Sequence, residues 1–205
     1  MTALSTRHHR SDGERSRQAI LATAARLASS HGIERLSIGD LAAEVGMSKS
    51  GLYAHFGSKE ELQLATIDAA EEIFNQVVVE PADTAPPGLP TVIALADAFI
   101  DHLRDRIFPG GCFFACASAE VHSQPGPVKD RIAEFDGRWR GRLERELQAA
   151  KAAGDLAADD DIEAVLFDVD ALLYYAHGAF SFRGDPQVLE AARRAVRRRV
   201  GWRDS

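Results

Sequence analysis

The sequence predicts an all-α protein: a three-helix helix-turn-helix domain joined by a long helix to a larger helical domain, about nine helices in all. Three observations predict it. Apolar residues recur in steps of three and four through nearly every segment, which is the period of an amphipathic helix. Residues Ser37 to Leu62, SIGDLAAEVGMSKSGLYAHFGSKEEL, read as two short helices, a tight turn and the start of a third, longer one. A cluster of Pro81, Pro86, Pro87, Gly88 and Pro90 then interrupts the pattern and separates this region from the rest of a 205-residue chain, which has room for a second core.

The first helix is expected from Ser11 to Ser30. Ile20, Ala24, Leu27 and Ala28 form its buried stripe, and Gly32 stops it. Arg15 and Arg17 near its start are open to two readings, phosphate contacts or a solvated charged face. The arm Arg7-His8-His9-Arg10 invites a minor-groove reading, but a disordered tail is preferred. Ser37 opens the next helix, whose Ile38, Leu41, Ala42 and Val45 face a small core. Gly46 ends it by taking the left-handed conformation at little cost. Ser48 caps a third helix that Leu52 and Phe56 hold down. The residues between them then face outward, and they offer small, polar, aromatic and basic groups suited to base edges and phosphates. Ser58 and Glu61 form a capping box that starts the long helix, expected to run to about Val79 before the proline-rich stretch.

Beyond that linker, Val92, Leu95, Ala96, Phe99 and Leu103 mark a helix that stops at Pro109-Gly110-Gly111, and a short one follows from about Cys112 to His122. Pro125 and Pro127 open the next, with Val128, Ile132, Phe135, Trp139, Leu143 and Leu147 on one face until Gly154. Its Gly137 and Gly141 signal close helix approach or a bend. Asp159, Asp160 and Asp161 sit where negative charge complements a helix N-terminus, opening a helix through Phe182 with the stripe Ile162, Val165, Leu166, Val169, Leu172, Leu173, Ala176 and Phe180. Asp185 and Pro186 cap the last helix. Its Leu189, Ala192, Val196 and Val200 face inward, and Arg193, Arg194, Arg197, Arg198 and Arg199 are read as a solvated face.

Charge is divided unevenly. The net charge is −7, which argues against nucleic acid until the chain is split. Residues 1–60 carry eight Lys/Arg against six Asp/Glu, and the remainder sixteen against twenty-five. A mildly basic head on an acidic body weakens non-specific phosphate attraction, so selectivity must come from a few placed contacts on two heads acting together. No stretch approaches the roughly 18 apolar residues of a membrane span, and the N-terminus lacks a signal-peptide apolar run. A cytoplasmic protein is expected, and two cysteines, Cys112 and Cys116, are too few for a disulfide framework.

The run Tyr53, His55, Phe56, Lys59, Glu60 and Leu62 fits the pattern Y-x-H-F-x-x-K-E-x-L, and with the preceding turn glycine and flanking helices it resembles the DNA-binding region of the TetR family of bacterial transcription regulators. The resemblance implies that Lys49, Ser50, Gly51, Tyr53 and His55 face the major groove of double-stranded DNA, with Ser37, Ser48, Tyr53 and Lys59 near phosphates. It implies a DNA-binding domain over 1–57 and an effector-binding and dimerisation domain over 58–205. It also implies a homodimer formed through about 161–200, and a repressor released from a palindromic operator by a small molecule.

The second domain concentrates aromatic and histidine residues. Phe99, His102, Phe113, Phe114, Phe135, Trp139, Tyr174, Tyr175 and His177 are candidates for an effector pocket among the helices after the linker, an apolar lining with polar handles. A lipophilic or aromatic small molecule is the expected ligand. Two other classes compete with this reading. A regulator sensing metal or thiol chemistry through Cys112 and Cys116 has only C-x3-C and a nearby His122 in its favour. A helical-bundle enzyme lacks any signature pairing a thiol with a base and an orienting group. No catalytic residue, metal ligand or cofactor is expected.

Overall fold

The computed structural model describes residues 3–203, with side chains from Gly13 onward. Nine helices run through the described residues, and no strand is among them. They are α1 (Ala3–His31), α2 (Ile38–Glu44), α3 (Lys49–His55), α4 (Lys59–Phe74), α5 (Leu89–Arg104), α6 (Phe113–Val121), α7 (Pro127–Ala153), α8 (Ile162–Arg183) and α9 (Gln187–Arg199).

The predicted caps form. Ser37, Ser48 and Ser58 accept hydrogen bonds from the backbone N–H of Asp40, Gly51 and Glu61, satisfying donors that a helix start leaves open. Gly46, at φ 68°, closes α2, and the Met47 N–H returns to the Ala42 carbonyl at 2.9 Å. The Glu61 carboxylate reaches back to the Gly57 N–H at 2.9 Å, one residue earlier than in the reciprocal capping box.

Two hydrophobic clusters result. The smaller joins Ile20, Leu21 and Ala24 of α1 to Leu36, Ile38, Leu41, Ala42, Leu52, Phe56 and Leu62. The larger fills the body from Ala25 and Ala28 of α1 through α4 to Val196 and Val200. Thus α1 and α4 each feed both cores. A further joint ties the end of α1 to the body. The Glu120 carboxylate of α6 accepts from the backbone N–H of Ile33 at 2.7 Å and of Glu34 at 3.1 Å. At Gly110 a Cβ atom would land on the Ser29 carbonyl, so only glycine permits this approach.

Several boundaries and faces differ from expectation. α1 begins at Ala3 rather than Ser11, because the stretch before Ser11 contains neither proline nor glycine to break the helix; the side chains of Arg7, His8, His9 and Arg10 lie outside the described residues. α4 does not break before Pro81. It widens into a π-helical turn, Asn75–Val79, and continues as Glu80–Ala82, the wider turn accommodating a residue that has no N–H to donate. Pro90 lies inside the first turn of α5, where its missing donor costs nothing. Gly137 has no neighbouring atom within 4 Å of a Cβ position, so it marks no close helix approach.

The arginines of α9 are not simply solvated. Arg193 and Arg197 pair with Asp97 of α5, Arg193 also pairs with Asp101, and Arg199 pairs with Asp168 of α8 at 2.5 Å. Arg194 and Arg198 remain exposed.

Candidate nucleic-acid interface and internal cavity

On α3, Leu52 and Phe56 are almost fully buried, which fixes which side of a seven-residue helix faces out. Ser48, Lys49, Ser50 and Tyr53 are exposed, and Gly51 and His55 are half-buried. These residues lie on a helix held to the small core by Leu52 and Phe56, while Ser37 is half-buried and Lys59 exposed. The Ser37 hydroxyl also donates to Asp40 at 2.7 Å, and that of Ser48 lies 3.2 Å from the Ser50 hydroxyl. The Lys49 chain folds back across Gly39. Lys59 Nζ donates to the Glu34 carbonyl at 2.6 Å, which leaves an ammonium two further protons for other acceptors.

The sequence reading missed how Arg17 is used. Its guanidinium donates to the His55 carbonyl at 2.8 Å and lies over the Phe56 ring, 4.5 Å from the centroid. It thus satisfies an open carbonyl at the end of α3 with a cation on the favourable side of the helix dipole. Of the two sequence readings for Arg17, neither describes this internal brace.

In the body, a cavity of about 550 Å³ opens between α4, α5, α6, α7 and α8, within the usual range for small-molecule sites. Of the sequence candidates, Phe99, Phe114, Phe135, Trp139 and Tyr174 line it. The other candidates do not. His102 is buried one layer behind the wall, against Phe74, Phe99 and Phe108. Phe113 packs into the core on Phe108, Tyr175 points outward and is exposed, and His177 lies beside Cys116, 3.7 Å from its sulfur. Residues that periodicity could not assign complete the wall, notably Phe74, Phe167, Asp136, Arg140 and Asp170.

Phe74 is the aromatic hub. Its ring meets Phe135 at 5.1 Å and Trp139 at 5.5 Å, both edge-to-face, the geometry favoured by ring quadrupoles. Because Phe74 belongs to α4, the cavity touches the same helix that leads into the head. Outside the cavity, Arg131 and Arg138 of α7 grip Glu71 of α4. Burial raises the Glu71 carboxyl, but the hydrogen bonds from Arg138 and Arg131 outweigh this and hold it below its ordinary range.

Polar groups in the wall are arranged around Asp170, which accepts from Arg140 at 2.7 Å and from the Trp139 indole at 3.3 Å. Burial lifts its carboxyl above the usual range against the pull of Arg140, and neighbouring Asp136 adds to the rise. His102 has both ring nitrogens buried without a hydrogen-bond partner. Burial, with a smaller contribution from His177, lowers its pKa to about 4.

The two cysteines part company. Cys112 lines the cavity and burial pushes its thiol up to about 12. Cys116 faces the Gly110 carbonyl and His177 instead, and its thiol is also raised by burial. Neither environment favours the thiolate that metal or thiol sensing uses. His122 lies on the surface with Nδ1 near the Ala119 carbonyl. Among the described residues no group of three or more His, Cys, Asp or Glu converges as metal ligands, and no helix is long and apolar enough to cross a membrane.

Comparison with known proteins agrees with this architecture at both ends of the chain. Residues 88–196 match the family model described as tetracyclin repressor-like, C-terminal domain, and residues 20–66 match that of bacterial regulatory proteins, tetR family. No curated protein matches. A solved TetR transcriptional regulator from Chloroflexus aurantiacus is 24% identical, with a TM-score of 0.85 over 93% of this chain and 96% of that one. A TetR-family transcriptional regulator from Streptomyces coelicolor is 26% identical, with a TM-score of 0.76 over 98% and 95%. AibR, solved in complex with isovaleryl coenzyme A and operator DNA, is 22% identical, with a TM-score of 0.71 over 86% and 95%. With one family model spanning more than half of the chain and a second spanning the helix-turn-helix, the chain belongs to the TetR family and is a DNA-binding transcription regulator.

Proposed function

We propose that this regulator is a homodimeric repressor that reads a palindromic operator through α3 and leaves it when a small molecule fills the body cavity. The observation that carries this reading is the position of Phe74. It forms cavity wall on the helix whose first turn holds Lys59, so an occupant that favours one placement of Phe74 favours one placement of the head. That is a population shift, as large as the ligand's differential affinity for the two placements. The Glu71 clamp to α7 supports the same coupling, since it joins the cavity's outer wall to α4.

In this reading residues 1–57 are the DNA-binding domain and 58–205 the effector and dimerisation domain, with α4 mechanically shared. The smaller hydrophobic cluster, drawn from residues before 57 except for Leu62, supports that division, while Ala25, Ala28 and Ile33 join the head to the larger one. Lys49, Ser50, Gly51, Tyr53 and His55 meet base edges, and Ser37, Ser48, Tyr53 and Lys59 lie near phosphates. Dimerisation is supported by the outer face of α8. The apolar stripes legible in α8 and α9 are spent on the subunit's own core, yet Tyr175 and Phe182, which do not line the cavity, stay exposed, Phe182 at 90%. Exposed apolar surface of this kind marks an interaction site, here with a second copy over about 161–200.

Point variants test the assignment of the reading surface. Tyr53→Ala and His55→Ala are each expected to cost about 1–3 kcal/mol at the specific site. Lys59→Ala is expected to weaken binding evenly across sequences and to make its salt dependence shallower. Unchanged DNA binding by all three would show that α3 is not the reading helix.

A further inference from the structure

Resting on the effector-cavity reading, the wall also specifies a ligand charge. Among the described residues its only cationic side chain is Arg140, which pairs with Asp170 at 2.7 Å and more loosely with Glu163 at 3.4 Å. An incoming anion would therefore share that guanidinium with two carboxylates already in place. Asp136 is different. It lines the cavity, is exposed on α7, and makes no ion pair among the described residues. It lines the same cavity as Asp170, and its negative charge adds to the rise of the Asp170 carboxyl. A positive group between Asp136 and Asp170 would offset that charge. The wall is also aromatic: Trp139, Tyr174 and Phe167 offer the negative faces that attract organic cations.

We propose that the cavity selects a lipophilic organic cation, seated against the aromatic wall with its charge between Asp136 and Asp170. The anionic thioester named for AibR fits this wall less well, because its one guanidinium already faces two carboxylates.

Equilibrium dialysis of the full chain against tetraphenylphosphonium and tetraphenylborate tests this, since the two ions share size and shape and differ only in sign. N-phenyl-1-naphthylamine serves as a neutral probe. The phosphonium is expected to bind at least about tenfold more tightly than the borate, and Asp136→Asn to weaken it roughly fivefold while leaving the neutral probe unaffected. Asp136 is exposed, so this variant is expected to fold; Asp170→Asn is the second variant, expected to reduce the same preference. If the borate or the neutral probe binds as well as the phosphonium, or if Asp136→Asn changes nothing, charge selection is overturned and the cavity reading stands. If none of the three probes binds, both fall.

Discussion

Arg17 and His102 show how single residues carry consequences that their spacing conceals. Arg17 stands two positions from Arg15 on a charged helix start, and nothing in the local pattern distinguishes them. Its partner is 38 residues away, so its role is set by tertiary packing alone. Arg17→Ala is expected to destabilise the head by about 1 kcal/mol through the lost hydrogen bond and stacking, and to weaken DNA binding without changing the salt slope. A phosphate contact would instead lower that slope by about one, so a salt titration separates the two roles. His102 presents the opposite problem, because a histidine on an apolar helix face reads equally as core or as ligand handle. It is core, held uncharged among three aromatic rings. Its folded pKa lies below the ordinary value near 6.5, so the unfolded chain takes up the extra proton first as the pH falls. The stability this neutral residue permits is full above pH 6.5 and is lost as the pH drops toward 4. His102→Leu removes two unpartnered nitrogens, so it is expected to match or exceed the parent's stability at pH 7 and to abolish about 2 kcal/mol of its loss between pH 7 and pH 5. Urea unfolding at the two pH values checks this, and an unchanged difference would mean that His102 is not the titrating group.

At the scale of elements, helices whose boundaries depend on local chemistry were legible to within a residue or two. Ser37, Ser48 and Ser58 act within their own first turns, and Gly46 and Gly154 close helices by their own backbone conformation, at φ 68° and 84°. What local chemistry does not set went unread. The π-helical turn at Asn75–Val79 carries α4 past the point where Pro81 was expected to end it, with Val78 packed into the body core. The arginines of α9 find Asp97, Asp101 and Asp168 only after three helices have assembled. The joint between α1 and the body is of this kind too. Gly110 looked like a helix stop, and its structural use is to let the turn touch the Ser29 backbone while Glu120 holds the start of the following turn. Gly110→Ala has no flexible side chain to displace, only backbone. It is expected to cost at least about 2 kcal/mol and to loosen the head from the body, seen as faster amide exchange around Ile33 and Glu34. Exchange and stability equal to the parent's would show that the close approach is not maintained.

For the whole molecule, the sequence motif identified the family more readily than it identified the cavity. The segment that carries the motif is contiguous, and its orientation follows from two buried side chains, Leu52 and Phe56. The cavity draws on five helices, and five of the nine aromatic and histidine candidates for it line the wall. The rest were misassigned because a helical stripe tells which residues turn inward but not whether they meet a neighbour or a void. Phe74 was overlooked for the same reason, although it connects the cavity to the head. The central claim is that two such heads, held by the exposed face of α8, read a symmetric site. Selection of binding sites from random DNA with the purified chain tests it most directly. The account predicts enrichment of one two-fold symmetric sequence, bound tens of times more tightly than scrambled DNA. Enrichment of an asymmetric single site, or of no sequence even at low salt, would contradict it.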